Sequence, residues 1–313
     1  MKGLELSREF YLSFGKAMIE NQFGQIKNKI AVGLFGSGSE CYGFDDEISR
    51  DHDFEPGFCI VLPSEEEVDR KTAFALERAY SKLPKTFMGV NRGNLSPVGG
   101  NRHGVIRSSD FFTDKVGRAD GLISGYEWFT VPETFLAEAT NGEVFFDGSG
   151  VFTSIREYLS SYPKDVRLKK LAGNLLLASQ TGQYNYPRCI KRGERAGAAL
   201  CVNQFVDKIM SVVFLLNDKY RPYYKWAFRA YSQLEKLSSL YDALEFLITT
   251  DNADENAGIK INVIEDIALA VSEELKNQEI TKATCIDLEK HAYSVNDHIS
   301  DPELRNQNVL MSV

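Results

Sequence analysis

Two aspartates separated by one residue, Asp51 and Asp53, are the clearest candidates for chemistry in this sequence of 313 residues. On a β-strand alternate side chains share a face, so these carboxylates would point together while His52 points the other way. Two carboxylates a few ångströms apart repel each other unless a cation lies between them. Mg²⁺ suits such a pair because it takes one or two carboxylates together with water and phosphate oxygens. The pair therefore predicts a catalytic metal site.

A Gly-Ser pair, Gly36 and Ser37, ends an apolar run, and 13 residues separate it from the aspartates. Backbone N–H groups and a hydroxyl, with no bulky side chain to block approach, suit the phosphates of a nucleotide. We therefore expect Gly36, Ser37 and Ser39 to bind ATP or another nucleoside triphosphate as substrate. Asp51 and Asp53 would hold Mg²⁺ as the cofactor, so that a metal-bound nucleotide faces an attacking hydroxyl.

Each of these signals is weak by itself, because a lone Asp-x-Asp pair is often a turn or a surface pair. His52 is expected to pack or to support a ligand rather than to bind metal, and Asp45, Asp46 and Glu47 are interpreted as a solvated loop. The specificity lies in the order of the features: an apolar strand, Gly-Ser, a spacer of this length, Asp-x-Asp and a second apolar strand.

Hydrophobic periodicity predicts the elements that position these residues. The expected elements are a helix over 4–24, a strand over 30–35, a strand over 51–62 kinked at Pro56-Gly57, a helix over 64–83, a strand over 104–107, a helix from Pro132 and a strand over 143–147. From about residue 152 helical periodicity dominates and glycine becomes less frequent. The sequence therefore predicts a mixed α/β (α+β) domain over 1–155 and an all-α helical bundle over 156–313.

The chemical segment resembles the signature of the nucleotidyltransferase superfamily that includes DNA polymerase beta, kanamycin nucleotidyltransferase and the minimal nucleotidyltransferases. More narrowly, it is similar to a bacterial family of nucleotidyltransferase-like proteins known only as a domain of unknown function. The similar stretches are 36–46, 49–53, Arg102-His103-Gly104, 132–136, 142–145, Tyr162-Pro163, 214–217, 220–226 and 299–305. The resemblance implies an α/β nucleotidyltransferase core followed by a helical domain, as in antibiotic nucleotidyltransferases, and it does not imply a known substrate.

The chain departs from the superfamily pattern at the third carboxylate, which usually lies on a later strand and completes the metal site or acts as general base. The expected strand, 104–107, contains no acidic residue. The candidates elsewhere are Asp110, Glu127, Glu138 and Glu143. Two functions therefore stay open: transfer of a nucleoside monophosphate, with AMP from ATP as the first choice, to a hydroxyl of a small molecule or protein, or a catalytically weak nucleotide-binding module or antitoxin-like regulator.

The helical half contributes candidate cations. Arg188, Arg192 and Arg195 have the i, i+4, i+7 spacing of one helical face, either toward the triphosphate or in salt bridges with surface acids. Lys225 lies among large aromatics, where it would contact phosphate or pack its stem on Trp226 with the ammonium in water. Because no acceptor pocket is evident in residues 1–150, we expect the helical half to build most of the acceptor site, with Arg192 or Lys225 on the nucleotide.

Composition narrows the class of protein further. Lys and Arg number 36 against 44 Asp and Glu, and the net charge of −8 makes non-specific nucleic-acid binding unfavourable without a local basic patch and argues against a template-dependent polymerase. No stretch approaches the roughly 18 uncharged apolar residues of a membrane helix. Five cysteines without a CxxC pair fit reduced thiols. We expect a cytoplasmic protein with no membrane partner, and the oligomeric state stays open.

Overall fold

The computed structural model of the protein describes residues 1–48, 54–93 and 103–313. These residues form two units, 1–160 and 161–313. The first is an α+β unit and the second is helical, which confirms the predicted fold class. The division falls at residue 160 rather than 155, because a helix over Val151–Tyr158 runs through the expected boundary.

The first unit alternates helices with short strands. Its helices are α1 (Gly3–Phe10), α2 (Lys16–Gln22), α3 (Arg70–Ser81), α4 (Ser108–Val116), α5 (Glu127–Thr130), α6 (Glu133–Thr140) and α7 (Val151–Tyr158). Its strands are β1 (Ala31–Leu34), β2 (Cys59–Leu62), β3 (Thr86–Phe87), β4 (Val90–Asn91), β5 (Gly104–Arg107) and β6 (Glu143–Asp147). A π-helix, Tyr11–Gly15, joins α1 to α2, and 3₁₀ turns cover Gly24–Lys29 and Ser39–Tyr42.

Four strands form the main sheet in the order β5-β2-β1-β6, and β3 pairs with β4 separately. β1 runs antiparallel to β2, with Gly33 opposite Cys59, and antiparallel to β6, with Leu34 opposite Glu143. β2 runs parallel to β5, with Cys59 opposite Gly104. The chain therefore leaves β1 at the end of the sheet where β2, β5 and β6 begin.

A buried apolar cluster supports the sheet. It contains Phe10, Val32, Ile60, Leu76 and Tyr80, which join α1, β1, β2 and α3. A second aromatic group links Phe35, just after β1, to α4 and α7; its other members are Phe111, Phe112 and Phe152. These apolar contacts supply most of the driving force that fixes the strands in register.

Two predicted elements start or end elsewhere. The expected helix from Ser64 begins only at Arg70, because Asp69 caps it by accepting a hydrogen bond from Thr72 N–H at 2.7 Å. The residues from Ser64 form a turn instead, closed by the bond from Val68 N–H to Ser64 O. The expected strand over 51–62 is regular only from Cys59, and residues 49–53 lie outside the described part of the chain.

The second unit is built from helices. They are α8 (Lys164–Ala178), α9 (Tyr186–Lys191), α10 (Arg195–Leu216), α11 (Tyr224–Tyr231), α12 (Tyr241–Thr249), α13 (Asp254–Asn277), α14 (Leu288–Asp297) and α15 (Pro302–Asn306). A π-helix covers Ser179–Asn185, and 3₁₀ turns cover Ser238–Leu240 and Val309–Ser312. α8 packs against α10 and α14 and forms the centre of the unit.

α10 is long and apolar enough to cross a membrane by length and composition, with a mean hydropathy of 1.6 over its most apolar 18 residues. It is the one such helix among the residues described. Just over half of that stretch, 56%, is buried inside the protein, and the last eight residues of α10, Ile209–Leu216, are all buried. That burial is typical of a core helix.

Candidate functional site

The turn that leaves β1 is held by a single asparagine. Gly36 has φ +99°, a region that favours glycine because a Cβ would be crowded there. Its N–H donates to Asn141 Oδ1 at 2.8 Å, and Asn141 Nδ2 donates to Gly36 O at 2.7 Å. Asn141 is the C-cap residue that follows α6. The position of the Gly36–Ser37 turn is therefore set by α6 as well as by β1.

The backbone after Asn141 lies directly against the end of β1. Gly142 has φ +66°, and a Cβ built there would come within 2.1 Å of Leu34 O. Gly142 N–H donates to Cys41 O at 2.9 Å, beyond the turn. The Arg156 guanidinium fixes the same segment by donating to Ala139 O at 3.0 Å and to Asn141 O. Burial lowers the pKa of Arg156 to about 10, and these carbonyls are its direct partners.

Ser37 belongs to a charged network at the turn. Its hydroxyl donates to Glu138 Oε2 at 2.9 Å, and Lys115 Nζ donates to the same oxygen at 2.7 Å. Lys115 Nζ lies 3.5 Å from Ser37 Oγ and 2.9 Å from Asp114 Oδ2. Burial lowers the pKa of Lys115, but the bonds to Glu138 and Asp114 outweigh it, so the pKa is raised overall and the ammonium stays charged.

A cavity of about 840 Å³ opens beside this network, a volume that accommodates a nucleoside-sized molecule. Its apolar lining comes from the strands and from the two helices that flank β5, and its polar lining includes the turn itself. The residues that define it are Phe35, Gly36, Ser37, Leu62, Phe74, Ile106, Arg107, Asp110, Phe111 and Lys115. The first unit thus contains a pocket that the sequence did not reveal.

The four candidates for a third carboxylate have different surroundings. Asp110, in the first turn of α4, lines the cavity, and Glu138 contacts Ser37. Glu127 instead accepts from Ser124 N–H at 2.8 Å and pairs with Arg118. Glu143 pairs with Arg8. Two candidates, Asp110 and Glu138, therefore lie with the Gly36–Ser37 turn.

The predicted metal ligands Asp51 and Asp53, with His52, lie outside the described residues. What the structure does place is the chain that follows them: residues 54–58 enter β2 at the end of the sheet where β1 leaves. Among the described residues no group of three or more His, Cys, Asp or Glu side chains is arranged to hold a metal ion. The Mg²⁺ site stays a prediction.

A carboxylate–imidazole pair, which sequence reasoning missed, lies at the entry to β2. Glu55 Oε1 is 3.1 Å from His103 Nδ1, and His103 is buried just before β5. Burial raises the pKa of Glu55, but the bond from His103 and one from Gly93 N–H lower it more, and the net shift is downward. A Cβ at Gly57 would meet the His103 ring at 2.6 Å. The sequence signals for His103 were its position immediately before a predicted strand and its place in the similar stretch Arg102-His103-Gly104.

The loop after the turn is more structured than expected. Ser39 begins the 3₁₀ turn Ser39–Tyr42. Asp45, interpreted as part of a solvated loop, is buried, with 3% of its surface exposed, and its Oδ2 accepts from Gly3 N–H at 2.9 Å. Asp45 therefore stabilises the first turn of α1, because a carboxylate satisfies backbone donors that a helix start leaves unpaired. The solvated-loop interpretation is wrong for this residue.

The cations of the second unit are arranged differently from the prediction. α9 ends at Lys191, Gly193 has φ +72°, and α10 begins at Arg195. Arg188, Arg192 and Arg195 therefore do not share one continuous helical face, because the helix breaks between them. Arg188 donates to Tyr184 Oη at 2.5 Å, and Arg192 is exposed at the end of α9. Lys225 is exposed on α11, with its ammonium 4.9 Å from the Trp226 ring centre.

Comparison with known proteins gives limited similarity. Residues 128–227 match the family described as a domain of unknown function, DUF4037. No curated protein matches the chain. Among solved structures, a nucleotidyltransferase-like protein from Exiguobacterium sibiricum 255-15 is similar at 10% identity and a TM-score of 0.36, with 90% of each chain covered.

Proposed function

We propose that this protein is a Mg²⁺-dependent nucleotidyltransferase that moves a nucleoside monophosphate, with AMP from ATP as the first candidate, to a hydroxyl of an acceptor. The observation that carries the proposal is the Gly36–Ser37 turn, which Asn141 clamps beside a cavity of about 840 Å³. The turn lines this nucleoside-sized cavity together with the Ser37 hydroxyl and the Lys115 ammonium, and these polar groups suit a phosphate chain.

In this proposal the triphosphate lies at the turn, where Ser37 binds the β- and γ-phosphates and Gly36, which has no side chain, lets them approach. Lys115, charged and 3.5 Å from Ser37 Oγ, adds a positive group in the same unit. Asp51 and Asp53 would hold Mg²⁺, which would stabilise the negative charge that develops on the phosphates during transfer. The acceptor oxygen forms a bond to the α-phosphorus, the bond to the bridging oxygen breaks, and pyrophosphate leaves.

The acceptor hydroxyl must give up its proton to a base. Asp110 and Glu138 are the candidates supported by position, since Asp110 lines the cavity and Glu138 contacts Ser37. Of the two, we favour Asp110, because Glu138 is already engaged by Ser37 and Lys115. Arg192 and Lys225, both exposed in the second unit, remain candidates for a phosphate contact on the sequence alone.

A second function, a nucleotide-binding module with weak or no catalysis, is favoured by one specific observation. β5, Gly104–Arg107, contains no carboxylate, and its one charged side chain, Arg107, donates to Pro63 O at 2.7 Å. Such a protein would bind Mg²⁺–nucleotide without releasing pyrophosphate. An antitoxin-like regulator belongs to this class.

A thermal-shift screen of nucleoside triphosphates with and without Mg²⁺ tests both functions. A ligand at 100 times its Kd increases the free energy of unfolding by about 2.7 kcal/mol, and the unfolding temperature rises as a result. Transfer then predicts pyrophosphate release once an acceptor is present, whereas the binding module predicts the stability shift alone. No Mg²⁺-dependent shift with any nucleotide would contradict both, and the Asp51→Asn variant is the negative control.

A further inference from the structure

The segment that carries α11 has a composition unlike the rest of the chain. Residues 219–236 contain five basic residues against a single acid, Glu235, in a protein whose net charge is −8. The same 18 residues contain six aromatic side chains. Aromatic rings interleaved with cations are the usual composition of surfaces that bind single-stranded nucleic acid.

Several of these side chains are exposed together at the start of α11. Tyr223 is 50% exposed and Tyr224 is 75% exposed, and their ring centres are 4.3 Å apart. Lys225 and Arg229 are exposed one helical turn apart, 4.9 and 5.4 Å from the half-buried Trp226 ring. We call Tyr223, Tyr224, Lys225, Trp226 and Arg229 the α11 patch.

The rest of the segment holds the patch in place. Tyr231 is buried and donates to Leu237 O at 2.8 Å, and Phe228 packs edge-on against Tyr241 at 5.5 Å. Arg221 is committed to Asp207, which it contacts at 2.7 Å. Lys219, also exposed, and Lys225 form no ion pair with any residue in the described part of the chain. The α11 patch therefore presents aromatic faces and net positive charge on a segment that is packed firmly against the rest of the second unit.

We propose that the α11 patch, together with the exposed Lys219 that precedes it in the chain, binds single-stranded nucleic acid, with bases stacked on Tyr224 and Trp226 and phosphates on Lys219, Lys225 and Arg229. Stacking needs an open base face, which a duplex hides and a single strand offers. The positive segment overcomes locally the repulsion that the overall charge imposes on a polyanion. Strand binding here does not depend on nucleotidyl transfer in the first unit.

The experiment titrates the full chain with a fluorescein-labelled oligothymidylate of about twelve nucleotides, without Mg²⁺ or nucleotide, and follows anisotropy together with tryptophan fluorescence. Of the two tryptophans, Trp128 is buried, with 1% of its surface exposed, so quenching reports Trp226. Three phosphate contacts predict that log K falls with log salt at a slope of about −2. Binding should be stronger for the single strand than for the matching duplex.

Tyr224→Ala, and Lys225→Met combined with Arg229→Gln, should each weaken strand binding at least tenfold. The double variant should also flatten the salt slope. The matched controls are Tyr293→Ala and Lys290→Met on α14, which are likewise exposed and should change affinity less than twofold. All these changes are at the surface, and a thermal melt checks that each variant is folded.

Several results would overturn strand binding at the α11 patch: no binding by wild type, equal loss in the α14 controls, or binding to anionic phospholipid vesicles but not to the oligonucleotide. Asp51→Asn should bind the strand as wild type does. A wild-type protein that binds oligothymidylate but shows no Mg²⁺-dependent ATP shift would refute the proposed transfer alone. The opposite result would refute strand binding alone.

Discussion

The carboxamide of Asn141 forms two hydrogen bonds with the backbone of Gly36, 105 residues earlier in the chain, at 2.8 and 2.7 Å. A carboxamide can donate and accept at once, which is what a peptide N–H and C=O require from one partner. This contact ties the turn after β1 to the end of α6. It is the most specific feature of the candidate site.

Replacing Asn141 with alanine should therefore loosen the turn. Two buried or half-buried backbone groups lose their partner, so the free energy of unfolding should fall by about 1–3 kcal/mol, and Mg²⁺–ATP binding should weaken as well. Urea denaturation and calorimetric titration measure the two effects. Asn256→Ala, which removes an exposed bond to Asp251 in the second unit, is the control and should leave nucleotide binding unchanged. Wild-type ATP affinity in Asn141→Ala would remove the turn from the site.

Alanine substitutions at Gly142 and Gly125 distinguish the cost of a close atomic contact from the cost of backbone strain. Both have positive φ, +66° and +50°, so alanine costs about 1 kcal/mol at either position for that reason alone. Only at Gly142 would the new Cβ meet a backbone atom, Leu34 O, at 2.1 Å, whereas nothing lies within 4 Å at Gly125. Gly142→Ala should thus lose at least 2 kcal/mol more than Gly125→Ala in urea unfolding, and equal losses would show that β1 and the β6 entry are not packed so closely.

The short apolar runs of β1, β5 and β6 were enough to predict those strands, although only β1 is buried along its whole length. The start of α3 was misplaced by six residues, since two possible N-caps, Ser64 and Asp69, precede the same periodic stretch and only packing chooses between them. The break between α9 and α10 was missed because Arg188, Arg192 and Arg195 have the spacing of one helical face. Gly193, which interrupts the helix, does not disturb that spacing.

The candidate site was predictable only in part for a related reason. Gly36 and Ser37 were found from local sequence, but Asn141, Glu138 and Lys115 reach the turn from positions 78–105 residues away. No spacing rule connects such residues, since the sheet order and α6 bring them together. The same holds for the Glu55–His103 pair, whose members are 48 residues apart.

The predicted metal ligands give a sharper test of function. Asp51→Asn and Asp53→Asn should each abolish Mg²⁺-dependent nucleotide binding and transfer. Stability in metal-free buffer should change little or rise slightly, because an acidic pair without a cation repels itself. Thermal shift with and without Mg²⁺ measures both properties. Glu47→Gln, which changes an exposed acid four residues before Asp51, is the control, and a folded Asp51→Asn protein with wild-type activity would refute the metal assignment.

A buried histidine predicts how the second unit responds to acid. His291 is fully buried, with Nε2 2.7 Å from Cys285 O and Nδ1 3.0 Å from Thr281 Oγ1, and burial lowers its pKa below the usual value of about 6.5. The unfolded chain then binds the proton more readily, so stability is present above the unfolded pKa and falls as pH decreases toward the folded pKa. His291→Gln should reduce the slope of unfolding free energy between about pH 7.5 and 5.5, and an unchanged slope would assign it to other groups.

Two lysines compete for the role of phosphate contact, and one pair of substitutions separates them. Lys115 lies at the turn in the first unit, whereas Lys225 is exposed on α11 in the second. Methionine keeps the stem and removes the charge, so Lys115→Met and Lys225→Met test charge while sparing most packing. If a lysine contacts the triphosphate, its methionine variant should bind Mg²⁺–ATP about tenfold more weakly, which is about 1.4 kcal/mol, and should bind adenosine as wild type does. Lys82→Met and Lys290→Met, both at exposed positions, are the matched controls for the two units. If Lys225→Met binds Mg²⁺–ATP as tightly as wild type, Arg192 remains the candidate from the second unit, and Arg192→Gln is the next variant to measure.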